Sequence, residues 1–99
     1  MYALLGTFTA TPGNQQALAE RLVEATRLMT GVQGLRQYLI YTGEDEVIWV
    51  SELWDTKEDH DASLDYPGVR EFITATMPLI AGMSHYPVEF VGGTGAPQG

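Results

Sequence analysis

The sequence predicts an α+β fold of the ferredoxin-like kind: the order β-α-β-β-α-β with the second helix split in two, packed on a four-stranded antiparallel sheet. Three observations predict it. Large and small residues alternate over Tyr2–Ala10, apolar residues recur at helical spacing after Asn14, and two runs rich in β-branched and aromatic residues flank a turn at Gly43–Glu46. With 99 residues the chain fits one compact domain, because halving it leaves neither part a core. That domain is expected over residues 1–91, with a flexible, glycine-rich tail at 92–99.

The first strand, Tyr2–Ala10, sets Tyr2, Leu4, Gly6 and Phe8 on one side and Ala3, Leu5, Thr7 and Thr9 on the other. Thr11-Pro12-Gly13-Asn14 then offers two helix openers, Thr11 ahead of a first-turn proline or Asn14 after a Pro-Gly turn. Leu18, Leu22, Ala25 and Met29 form the apolar stripe of the helix that follows, and Gly31 and Gly34 stop it. Leu35–Thr42 and Val47–Trp54 read as a hairpin. After Trp54 a short helix is expected to about Leu64, broken by Pro67-Gly68. A further helix carries Val69, Phe72, Ile73, Thr76 and Ile80 to an end near Gly82, with its last turn kinked by Pro78. The last strand is expected over His85–Val91, at a sheet edge because of Pro87.

Both hairpin strands carry bulky groups on both faces: Tyr38 and Ile40 oppose Leu39 and Tyr41, and Trp49 and Leu53 oppose Ile48, Val50 and Trp54. A sheet covered by helices on one side only should show a polar second face. The pattern therefore predicts a homodimer through the open sheet face, giving a dimeric α+β barrel.

Composition excludes several function classes. The formal charge is −8, with Arg21, Arg27, Arg36, Lys57 and Arg70 the only fixed cations, which argues against nucleic acid or an anionic membrane as partner. The chain has no cysteine, so disulfides, thiolate nucleophiles, Cys-type zinc sites and iron–sulfur ligation are absent. No basic n-region or long apolar run opens the sequence, so a cytoplasmic location is the default expectation. Gly-rich phosphate loops are missing, since Gly93-x-Gly95 precedes no helix, and no nucleotide cofactor is implied.

The stretch WDTKEDHDASLDYPGVREF, Trp54–Phe72, sets one of the two histidines among carboxylates. Thr56-Lys57-Glu58-Asp59 has the form of a capping box, and Asp55, Glu58, Asp59 and Asp61 lie where the helix dipole favours negative charge. The acidic cluster is thus explained by capping and solvation rather than metal ligation, and no metal site is expected. His60 stays open between two readings. By i, i+3 and i+4 spacing it lies beside Ser63 and Leu64 on the side facing the sheet, either as a structural hydrogen-bond donor or as a proton acceptor at a pocket rim. His60 and Ser63 lack the nucleophile elbow and oxyanion hole of a hydrolase.

The run VIWVSELWDTKEDHDASLDYPGVREF, Val47–Phe72, resembles the antibiotic biosynthesis monooxygenase family, and is quinol monooxygenase-like in its phrase HDASL. Glu52 and Trp54 fill the family's Glu-x-Trp strand ending, and Pro67 its turn. MYALLGTFTATPGNQQALAERLVEATRLM is similar to the family's first strand and helix, so the resemblance covers Met1 to about Val91. One departure stands out: many members have a histidine nine residues after the tryptophan, where this chain has Ser63, and His60 stands one turn earlier, about 5 Å along the axis.

The resemblance implies a small dimeric protein that oxidises a quinol or polyphenolic aromatic with O₂ and needs no metal or flavin, so no cofactor is expected. His60 is then the candidate base. Trp54, Trp49, Tyr38, Phe72 and Tyr86 are candidate pocket walls with Ser63 beside them, and Arg36 or Arg70 a candidate partner for a phenolate. The alternative is a non-catalytic dimeric module that binds a small aromatic or haem-like ligand.

Overall fold

The computed structural model describes residues 1–95. Strand β1 (Tyr2–Ala10) leads to helix α1 (Gln15–Leu28), the hairpin β2 (Leu35–Thr42) and β3 (Val47–Trp54), the short helices α2 (Lys57–Ser63) and α3 (Val69–Thr76), a 3₁₀ turn at Met77–Leu79, and strand β4 (Ile80–Glu89). All pairings are antiparallel, and the sheet order is β2-β3-β1-β4. The α+β, ferredoxin-like order read from the sequence is the observed one. Among the described residues no helix is long and apolar enough to cross a membrane.

Strand alternation divides the sheet into two unlike faces. Leu4, Ile48, Val50 and Trp54 turn toward the helices and are buried. Leu18 and Leu22 of α1 meet Ile48, Val50 and Ala10 in one cluster, while Met29 and Val32 meet Trp54 in another, and Tyr38 packs against both. On the opposite face Leu5, Leu39, Tyr41, Trp49, Tyr86 and Val88 are all exposed.

The β2–β3 turn does more than reverse the chain. Asp45 and Glu46 both have positive φ, 53° and 65°, as in a type I′ turn, which non-glycine residues adopt at a cost. The Glu46 carboxylate accepts hydrogen bonds from the amides of Gly13 (2.9 Å) and Gln15 (3.0 Å). It thus caps α1 from a distant loop, in place of the side-chain cap that Asn14 does not make. Gln15 Nε2 donates in turn to the carbonyls of Gly43 and Val47, at 2.7 and 2.9 Å.

The second helical segment begins as the sequence suggests. Thr56 Oγ1 accepts from the Asp59 amide at 3.1 Å. Asp59 makes no reciprocal bond to Thr56; its side chain lies over Gly34, where any Cβ would collide with the Asp59 carboxylate and its Cβ. Gly34 itself has φ +80°, so both space and backbone demand glycine there.

Three boundaries differ from expectation. The last helix does not run to Gly82: α3 ends at Thr76 and Pro78 sits inside a single 3₁₀ turn. Proline has no N–H to continue the ladder and its ring clashes with the preceding turn, so the helix stops rather than kinks. Strand β4 accordingly starts at Ile80, five residues before His85, because Ala10, Thr9 and Phe8 of the long β1 pair with Ile80, Gly82 and Met83. It ends at Glu89, leaving Phe90 and Val91 outside it. Pro87 lies in the edge strand, where its missing donor is tolerated. Of the tail expected from Gly92, residues 96–99 lie outside the described residues.

Candidate functional site

Between the helices and the sheet lies a cavity of about 570 Å³. Its floor is Leu4 and Phe8 of β1, Tyr38 of β2 and Glu52 of β3; α3 roofs it with Phe72 and Ile73; β4 closes one side with His85 and Pro87. The helix α2 supplies His60 and Ser63. The lining is mostly apolar, so each polar group in it stands out.

His60 is held on three sides. Its ring lies 5.5 Å from the Tyr2 ring and 5.5 Å from that of Trp54, the latter edge-on at 82°. Nδ1 contacts Asp61 Oδ1 at 3.0 Å. Asp61 also accepts from Lys57 Nζ at 2.7 Å, and this bond, with that from His60, lowers its pKa. An ionised Asp61 can only accept, so in the neutral ring Nδ1 carries the proton and Nε2 keeps the lone pair. The side chain of His60 is only 19% exposed whereas that of Asp61 is 51% exposed, so the imidazole bridges solvent and cavity. This is the geometry of an oriented base, with an exposed and therefore modest orienting carboxylate.

Behind His60, Trp54 is fully buried and its Nε1 donates to Glu52 Oε1 at 3.1 Å. Glu52 has its pKa raised by burial, against opposing effects of the Trp54 bond and the charge of His60. Burial, with the Glu52 charge second, also raises the pKa of the Tyr38 hydroxyl and keeps it protonated. Ser63 is buried, and its hydroxyl donates to the His60 carbonyl one turn back, so it braces α2.

The structure brings together Tyr38, His60, Ser63 and Phe72 around the cavity, with Trp54 packed behind His60. It sets the other expected residues elsewhere. Trp49 and Tyr86 are 53% and 56% exposed on the opposite face of the sheet, because each is one residue out of phase with the cavity-facing positions of its strand. Arg36 pairs with Asp55 at 2.6 Å and Arg70 with Asp65, both at the surface, and neither lines the cavity. Sequence reasoning passed over Glu52 and His85 as pocket residues. The signal for Glu52 was present: a carboxylate in phase with Ile48, Val50 and Trp54 on an otherwise apolar strand face. Among the described residues no group of three or more His, Cys, Asp or Glu could hold a metal ion.

Comparison with known proteins places this architecture. Residues 1–75 match the sequence model of the antibiotic biosynthesis monooxygenases. The chain belongs to this family. A crystal structure from Chloroflexus aurantiacus that carries the family's name is 36% identical, with a TM-score of 0.85 over 97% of this chain and 98% of that one. A family-named structure from Deinococcus radiodurans has a TM-score of 0.80 at 21% identity, covering 99% of this chain and 100% of the other. SnoaB of Streptomyces nogalater, a cofactor-independent oxygenase crystallised as a point variant, gives 0.81 at 14% identity over 95% and 96% of the two chains, a likeness of fold alone. Comparison with curated proteins gives no match.

Proposed function

We propose that this antibiotic biosynthesis monooxygenase family member is a cofactor-independent monooxygenase acting on a phenolic or quinol aromatic. The observation that carries the reading is the apolar cavity with one oriented imidazole, His60, whose Nδ1 is committed to Asp61. His60 Nε2 takes the phenolic proton, and the resulting phenolate is electron-rich enough to pass an electron to O₂ without help from the protein. In a phenol with hydrogen at the para position, that carbon gains one oxygen atom and becomes a quinone carbonyl, and the second oxygen leaves as water. In a quinol one ring C–H becomes C–OH and the two hydroxyls become carbonyls, giving a hydroxyquinone, their two hydrogens leaving with the second oxygen as water. The cavity's task is to bind, deprotonate and exclude solvent.

The family relationship and the fold likeness to SnoaB support the oxygenase chemistry. The apolar outer sheet face supports a homodimer, each subunit keeping its own cavity. An oxygen electrode with a panel of phenols and quinols, comparing metal-free protein with buffer, tests the activity. Oxygen uptake above autoxidation is the expected result, and it should fall with His60→Ala. Ligand binding with no uptake across the panel would replace the oxygenase by a dimeric aromatic-binding module.

A further inference from the structure

Two polar groups stand side by side on the floor of the apolar cavity. Tyr38 and Glu52 are direct partners in the β2–β3 ladder, on its helix-facing side, and both line the cavity. Glu52 Oε1 is occupied by the Trp54 indole N–H. Glu52 Oε2 and the Tyr38 hydroxyl have no protein partner among the described residues, yet no buried side-chain nitrogen or oxygen there is left unsatisfied. Both atoms are therefore reached from the cavity.

Trp54 decides which oxygen of Glu52 does what. Oε1 accepts from the indole, so a proton held by the carboxyl resides on Oε2, the oxygen open to a ligand. Burial favours that protonated form, and the Tyr38 hydroxyl is likewise kept protonated. We propose that the Tyr38 hydroxyl and the Glu52 carboxyl form a two-donor site that grips one oxygen of an aromatic ligand as a phenolate or quinone carbonyl. The proposal rests on the cavity being a ligand site, and adds to it a rule of polarity: the bound oxygen must accept twice.

Donors fixed in advance in a water-poor site stabilise an oxyanion far better than they do in water. A carboxyl is such a donor in its protonated form, the form that burial favours at Glu52. The proton balance is simple: the phenolic proton passes to His60 Nε2, giving an imidazolium and a phenolate, and Tyr38 and Glu52 keep their own protons while donating to the phenolate oxygen. The ionisable groups facing this site are Tyr2 of β1, Lys57, His60 and Asp61 of α2, and His85 of β4. Helices α1 and α3 contribute none to the lining.

The test is binding without turnover. The full chain is titrated anaerobically with a nitrophenol, whose phenol and phenolate absorb separately, and with its methyl ether. The expected result is tighter binding of the nitrophenol, bound as phenolate. Tyr38→Phe and Glu52→Ala should each weaken it by roughly 10-fold or more, the loss expected for a hydrogen bond to a charged group, and leave the ether unaffected. Glu52→Gln should retain most of the affinity, since its amide still donates while its oxygen still accepts from Trp54. Equal losses for both ligands, or unchanged binding in Tyr38→Phe and Glu52→Ala, overturn the two-donor site and leave the cavity as a ligand site. If the wild type binds neither compound, both readings fall together. Circular dichroism of each variant confirms that a loss is not unfolding.

Discussion

At the scale of the residue, His60 and Glu52 are two ionisable groups that one tryptophan touches at once, and their environments push them toward opposite tasks. Asp61 orients His60 from the solvent side, while Trp54 holds Glu52 from within. His60→Ala should lower kcat on an oxidised phenol by roughly 10²- to 10⁴-fold, as for loss of a general base. Turnover and denaturation measured on one preparation separate this from a packing defect. Adding Ser63→His to His60→Ala asks whether an imidazole one turn later restores activity. Ser63 is buried beneath the His60 carbonyl, so the expected answer is little recovery.

Glu52 makes a second prediction, about stability. Its folded pKa lies above the ordinary value of 4.5 because burial disfavours the carboxylate. A group raised in this way contributes fully below its unfolded value, and the contribution is lost as pH rises through the folded one. Glu52→Gln keeps an acceptor for Trp54 and cannot ionise. Urea titrations should therefore find it gaining on the wild type as pH rises above 4.5, with the difference smallest in acid. A difference that does not change with pH would refute the argument. His60 was legible from helical spacing. The phase of Glu52 with Ile48, Val50 and Trp54 could be read along β3, but not its burial, which depends on strands and helices far from it in sequence.

Elements show the same division between local and distant causes. The Thr56 cap, the Pro67-Gly68 break and the edge position of Pro87 could be read from neighbouring residues, because each acts within one turn or one strand. Pro78 was legible as an interruption but not as the end of α3, since the choice depended on β1 having free pairing partners for Ile80 to Met83. The capping of α1 by Glu46 was not legible at all, its carboxylate lying 31 residues beyond the Gln15 amide it serves. Glu46→Ala removes both bonds to the α1 start and leaves the positive φ in place. It should cost about 1–3 kcal/mol in urea unfolding, in the range of a lost helix cap and of hydrogen bonds to a charged group. Glu46→Gly relieves the backbone while losing the same bonds, so it should fall between Glu46→Ala and the wild type. Glu46→Ala as stable as the wild type would show that the cap contributes nothing.

For the whole molecule the outer sheet face is the feature on which the proposed homodimer rests. Its two-sided apolar strands were legible before any coordinates, because alternation assigns Leu39, Tyr41 and Trp49 to one side whatever covers the other. A pocket with His60 at its rim was legible too, but its size and its lining by Glu52 and His85 were not, since they depend on how far α3 stands off the sheet. The six large residues Leu5, Leu39, Tyr41, Trp49, Tyr86 and Val88 are each between 41% and 56% exposed, and none is charged. Each subunit meanwhile carries a formal charge of −8, so two copies repel at long range and attract only through the apolar surface they bury. Such an interface needs about 1,000 Å² or more of buried surface. It also has a signature that distinguishes it from pairing by salt bridges: added salt screens the repulsion and should strengthen the dimer. Light scattering at micromolar concentration should give twice the monomer mass, shifting further toward dimer as salt is raised. Trp49→Lys places a hydrated charge on that face of β3 and should yield a folded monomer. Because Trp49 lies across the sheet from the cavity, the nitrophenol affinity of that monomer reports whether each subunit binds alone. A wild-type chain that stays monomeric, or a dimer dispersed by salt, would rule out an interface made of this face.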